Sequence, residues 1–151
     1  MVKRLMNKVF TKAESNQWDR IYWAFDLHET IIKPNWTREE LPLNFYPYAK
    51  EALQMISNNP MVVMIMYTCS HPFEISRYLE FFEHHDIHFN YVNENPEVSN
   101  QRYGCYDKKP YFNLLFEDKA GFEAENDWKI VIESLNEIDF NFSADKLTSG
   151  N

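Results

Sequence analysis

Two stretches, residues 21–26 and 61–67, are apolar almost throughout, without the polar alternation of a half-exposed strand. That pattern marks strands buried on both faces. Residues 87–92 and 111–116 read as a third and a fourth strand. Helical spacing fills the intervals. Ala49, Ala52, Leu53 and Ile56 form one stripe, opened by Pro47 and closed by Asn58-Asn59-Pro60. Ile75, Tyr78, Leu79 and Phe82 fall at i, i+3, i+4 and i+7 after Pro72, in a helix ending near His84-His85-Asp86. Trp128, Val131, Ile132 and Leu135 define a final helix. Residues 27–46, with Pro34, Asn35 and Pro42, read as a loop or small hairpin. Residues 93–110 are polar, contain Pro96 and Gly104, and read as a long loop, and Ala120-Gly121 reads as a turn. The expected organisation is an N-terminal extension or short helix over 1–20, one domain over 21–142 and a frayed polar tail over 143–151.

Strands alternating with helices imply a mostly parallel sheet covered on both faces, here a three-layer, Rossmann-like α/β domain without a large cap. Parallel connections bring the C-terminal ends of the strands to one edge, where ligands of open α/β sheets collect. Asp26, Thr68 and the pair Glu117-Asp118 stand at such ends, and Lys109 just precedes the fourth strand.

Composition narrows the class. With 44% hydrophobic and 17% aromatic residues in a chain of 151, one domain with a core of large rings is expected. Gly occurs only three times, so Asn, Asp and Pro must make the turns. A formal net charge of −8 argues against non-specific nucleic-acid binding, which needs clustered cations. The modest group Lys3, Arg4, Lys8 and Lys12 reads as a solvated segment. The two cysteines, Cys69 and Cys105, make neither a disulfide framework nor a paired zinc motif. No apolar run suits a signal peptide or a membrane span. A soluble, cytoplasmic protein is the expectation.

Clustered carboxylates repel unless protonated or neutralised. Magnesium solves this, since it takes oxygen ligands and leaves room for substrate phosphate. Lys109 and Thr68 could hold phosphoryl oxygens, with Lys108 and Lys119 as other lysines near the edge. Asp26 could attack phosphorus and form an aspartyl-phosphate that water later hydrolyses.

In order and placement these residues resemble the haloacid dehalogenase-like superfamily of phosphatases and phosphotransferases. Its first motif, a strand followed by Asp-x-Asp-x-Thr or Val, stands here as Asp26-Leu27-His28-Glu29-Thr30. Its second, a Ser or Thr after an apolar strand, stands as Thr68, with Ser70 as the lesser candidate. Its third is a Lys, here Lys109, and its fourth an acidic pair, here Glu117-Asp118 after Leu114-Leu115-Phe116. The resemblance covers roughly 21–135. It implies magnesium-dependent phosphomonoester hydrolysis or phosphotransfer. Asp26 would be nucleophile and metal ligand, with the His28 carbonyl and Glu117 or Asp118 as further ligands. Thr68 and Lys109 would bind the phosphoryl group. Residues 27–46 and 93–110 are too short for a folded cap, so the resemblance is to a capless member. Its open site would suit a large phosphorylated substrate or be shielded in a homodimer. The departure is His28, where the family places a second Asp for acid–base work. Histidine's ordinary pKa near 6.5 would let it protonate a leaving oxygen.

Two rival readings share this edge. One is a catalytically degenerate domain that binds a phosphorylated ligand or a protein partner. The other is a receiver-like domain phosphorylated on Asp, against which Thr30 speaks. His84, His85 and His88 read as helix-end residues rather than a metal site. Cys69 reads as a small buried residue, and His71 as either near the site or on the surface. Trp36, Phe45 and Tyr46 read as packing residues, with a substrate entrance as the sharper alternative.

Overall fold

A computed structural model of the chain describes residues 1–35, 37 and 39–149; Trp36 lies outside them. Strands β1 (Ile21–Phe25), β2 (Val62–Met66), β3 (Tyr91–Val92) and β4 (Leu114–Phe116) form a four-stranded parallel sheet in the order β3-β2-β1-β4. Helices α1 (Val2–Ser15), α2 (Ala49–Ser57), α3 (Pro72–His84) and α4 (Ala124–Ser149) flank it. The result is the three-layer, Rossmann-like α/β fold that strand–helix alternation implies. Among the described residues no helix is long and apolar enough to cross a membrane.

The sheet centre is built as its sequence dictates. Every residue of β2 is buried, and in β1 only Tyr22 is partly exposed. Phe116 is the aromatic hub. It stacks on Phe25 at 4.8 Å between ring centroids and meets Trp23, Phe122 and Trp128 at 5.5–5.7 Å.

Three elements begin two or more residues later than expected, each for a local reason. The third strand is confined to Tyr91–Val92, although Ile87 and Phe89 are buried. Upstream of it a side chain takes over part of the ladder, where Met64 N–H donates to Asn90 Oδ1, while His88 N–H turns away to Ser57 Oγ at the end of α2. The fourth strand begins at Leu114 rather than 111, because Asn113 Oδ1 accepts the Tyr22 N–H. Helix α2 begins at Ala49, since Tyr48 takes a left-handed φ of 63° and ends the loop.

The N-terminal segment takes the helical form of its two expected readings and belongs to the core. Val2, Met6, Val9, Phe10 and Ala13 of α1 are buried, against β4 and α4. Lys3, Arg4, Lys8 and Lys12 lie on its solvated face, with Lys3 paired to Glu137. Helix α4 in turn packs on both α1 and α2 and runs on to Ser149, past the expected start of the tail. Because Met6 is fully buried, Met6→Ala is expected to destabilise the protein by about 2–5 kcal/mol, a large part of the roughly 5–15 kcal/mol typical of a domain. Urea denaturation measures it, and a midpoint unchanged from wild type would show α1 to be dispensable.

Candidate functional site

The register of the sheet explains why carboxylates gather. Phe25 pairs with Phe116 in adjacent parallel strands, so the next residues, Asp26 and Glu117, emerge side by side. The Asp26 N–H continues the ladder to the Phe116 carbonyl at 3.0 Å. Asp118 follows in a single 3-10 turn, Asp118–Ala120. Carboxylate oxygens of Asp26, Glu117 and Asp118 lie within 4.8 Å of one another, all three partly buried. Thr30 ties the two loops together. Its hydroxyl donates to Asp26 Oδ2 at 3.4 Å and accepts the Asp118 N–H at 3.2 Å, while its carbonyl accepts Trp128 Nε1–H.

The crowding has an electrostatic signature. Burial, with the charges of Asp118 and Glu117 added, pushes the Asp26 carboxyl up to about 6, against the pull of the Leu27 N–H and the Thr30 hydroxyl. Oxygen donors at this spacing fit a hard cation. A further donor is at hand. In the tight loop after β1 the Leu27 carbonyl accepts from Thr30, Ile31 and Ile32 N–H, whereas the His28 carbonyl has no partner among the described residues. Glu29 takes a left-handed φ of 61° to make that turn.

These groups border an open cleft of about 730 Å³ at the C-terminal edge of the sheet. Thr68, beyond β2, faces into it. Its hydroxyl lies 2.9 Å from Ser70 Oγ and accepts the Ser70 N–H. Asn93 holds the Thr68 backbone from the end of β3: its Oδ1 accepts the Thr68 N–H and its Nδ2 donates to the Thr68 carbonyl, both at 2.8 Å. His71 and Glu74, from the start of α3, also line the cleft, so that helix's positive end opens onto it.

Asp26, His28, Thr68, Glu117 and Asp118 are thus brought together, and Lys109 is not. The cleft is lined by Lys108 and Lys119 instead. Lys109 was the expected residue, but the loop bends at 107–109, and a bend, unlike a strand, fixes no alternation of side chains. Cys69 is another correction: it is exposed, on the β2–α3 loop that borders the cleft. His84, His85 and His88 stay at the helix end, where His84 and His88 face Glu80 and Glu83 and His85 is the C-cap. Phe45 packs on Phe81 and Phe82 and does not line the cleft, nor does Tyr46, over which Lys33 sits.

Sequence reasoning missed Asn93 and Tyr78. The first could have been found as the polar residue directly after the third strand. The second, whose hydroxyl meets His28 Nε2 at 2.9 Å, was hidden inside an apolar helical stripe.

No protein-family profile matches this chain, and no curated protein matches it. A solved structure of a conserved protein from Bacteroides thetaiotaomicron is similar to it, with a TM-score of 0.59 at 19% identity, over 78% of this chain and 91% of that one. That likeness supports the three-layer fold.

Proposed function

We propose that this protein is a magnesium-dependent phosphomonoester hydrolase or phosphotransferase of the haloacid dehalogenase-like kind, acting through an aspartyl-phosphate on Asp26. The observation that carries the reading is the carboxylate cluster of Asp26, Glu117 and Asp118, within 4.8 Å at the strand ends, in one cleft with Thr68. Asp26, Asp118 or Glu117 and the His28 carbonyl are the oxygen donors that would hold the ion. The ion supplies charge neutralisation for the carboxylates and the phosphoryl oxygens.

The chain's own groups account for the rest. An Asp26 oxygen attacks phosphorus as the bond to the leaving oxygen breaks, and that oxygen takes up a proton from water. Water then attacks the phosphorus of the acyl phosphate, releasing inorganic phosphate and restoring Asp26. The Thr68 hydroxyl and the ammonium of Lys108 or Lys119 bind the transferring group. The wide, capless cleft suits a large phosphorylated substrate. Phosphate release from nucleotides, sugar phosphates and phosphorylated polymers, with and without magnesium, tests the reading. Activity on at least one class, lost with a chelator, is expected; no release across the whole panel would sink it.

The Asp26 carboxyl sets the pH dependence. A cation needs it ionised, and a group titrating at about 6 is roughly one-tenth ionised at about pH 5 and nine-tenths at about pH 7. Magnesium affinity by calorimetry is therefore expected to rise about tenfold between those pH values. A flat affinity would remove Asp26 from the ligand set.

A further inference from the structure

The buried side of α3 holds a polar atom aimed at the cleft histidine. Tyr78 is fully buried, and its hydroxyl has one hydrogen-bond partner among the described residues, Nε2 of His28 at 2.9 Å. The two rings meet edge to face, with centroids 5.6 Å apart and planes at 76°. A tyrosine hydroxyl carries its proton through the neutral range. That proton needs an acceptor, since a buried donor left unpaired costs about 1–3 kcal/mol. Nε2 is the acceptor within reach, and it accepts only when it carries no hydrogen. The hydrogen of the neutral ring then sits on Nδ1. His28 lines the cleft, and with Nε2 tied to the core, Nδ1 is the ring nitrogen left to serve it.

We propose that Tyr78 is a positioning residue that holds neutral His28 as its Nδ1–H tautomer, so that the ring shows the cleft an N–H donor and not a lone pair. The catalytic meaning rests on the phosphotransfer reading; the tautomer does not. In that reading His28 donates toward the leaving or phosphoryl oxygen and is not the base for water in the resting enzyme. A neutral imidazole can serve as such an electrophilic donor.

Long-range ¹⁵N–¹H correlation spectra of the labelled protein test the tautomer at about pH 9, well above the ordinary histidine pKa near 6.5. Among the five histidines, the His28 signals are those lost in His28→Gln. Nε2 is expected at the shift of an unprotonated ring nitrogen and Nδ1 at that of a protonated one. Tyr78→Phe, which removes one oxygen and keeps the ring, is expected to move the pattern toward Nε2–H. A wild-type ring with its hydrogen on Nε2, or a pattern unmoved by Tyr78→Phe, would overturn the proposal. In turnover, Tyr78→Phe is expected to lower kcat about tenfold and leave KM within about twofold. Unchanged kcat in an active enzyme would overturn the positioning role. If the tautomer is as stated and wild type hydrolyses nothing, the lock stands and the phosphotransfer reading falls.

Discussion

Asp26→Asn is expected to abolish phosphoester hydrolysis, by about 10⁴-fold or more, and at the same time to make the metal-free protein more stable. On the proposed phosphotransfer reading the first effect follows from removing the nucleophile: an amide oxygen cannot form the aspartyl-phosphate. The second follows from the cluster. A carboxyl raised to about 6 binds its proton better folded than unfolded. Its contribution to stability is therefore full below about pH 4 and is lost as pH rises through about 6. At neutral pH the folded chain holds an ionised Asp26 against Glu117 and Asp118, an arrangement suited to a cation and unfavourable without one. The amide of the variant would carry no charge and could still accept from Thr30. Asp26 is only half-buried, so solvent screening reduces the effect to on the order of 1 kcal/mol, or about 2–4 °C in Tm at this chain length. Millimolar magnesium should narrow the gap, since an ion bound by wild type stabilises it by mass action. Thermal melts at pH 7 with chelator and with magnesium measure both signs. A variant less stable than wild type under chelator would mean that the cluster is not under repulsion.

The sheet was legible because its central strands are buried on both faces, which leaves runs such as Val62–Met66 with no polar residue to blur them. The candidate site was legible for a related reason: residues one or two past the end of a buried strand are held close to the strand's register. Asp26, Thr68 and Glu117 follow from that register. The lysine does not, because Lys108 and Lys109 sit in a loop whose direction is set by contacts such as Asn100 with Asp107 and Tyr106, which no periodicity reveals. Strand bounds failed where asparagine side chains replace backbone in the ladder, as Asn90 and Asn113 do. The helix over Val2–Ser15 does carry a regular apolar stripe, Val2, Met6, Val9, Phe10 and Ala13, but Met1 offers no side-chain cap to mark its start. Tyr78 was read as core, and it is core; the function of its hydroxyl depends on His28, fifty positions away in sequence.

His28→Ala is expected to slow esters with poor leaving groups by about 10²–10⁴-fold and activated aryl phosphates far less, because only the former need a donor at the departing oxygen. Leaving the Tyr78 hydroxyl unpaired would also cost about 1–3 kcal/mol of stability. The double variant His28→Ala with Tyr78→Phe removes that orphan, so a rate defect that persists in it belongs to the imidazole and not to a loosened core. His28→Asp makes the complementary test. A carboxylate at 28 recreates the two-Asp form of the first motif, so magnesium-dependent turnover is expected to persist or rise. Equal losses for good and poor leaving groups would remove the His28 donor from the departing oxygen. If neither wild type nor His28→Asp releases phosphate from any ester, while both bind phosphate-like ligands in magnesium, the cleft is a phosphoryl-binding site. The imidazole held by Tyr78 would then serve recognition alone.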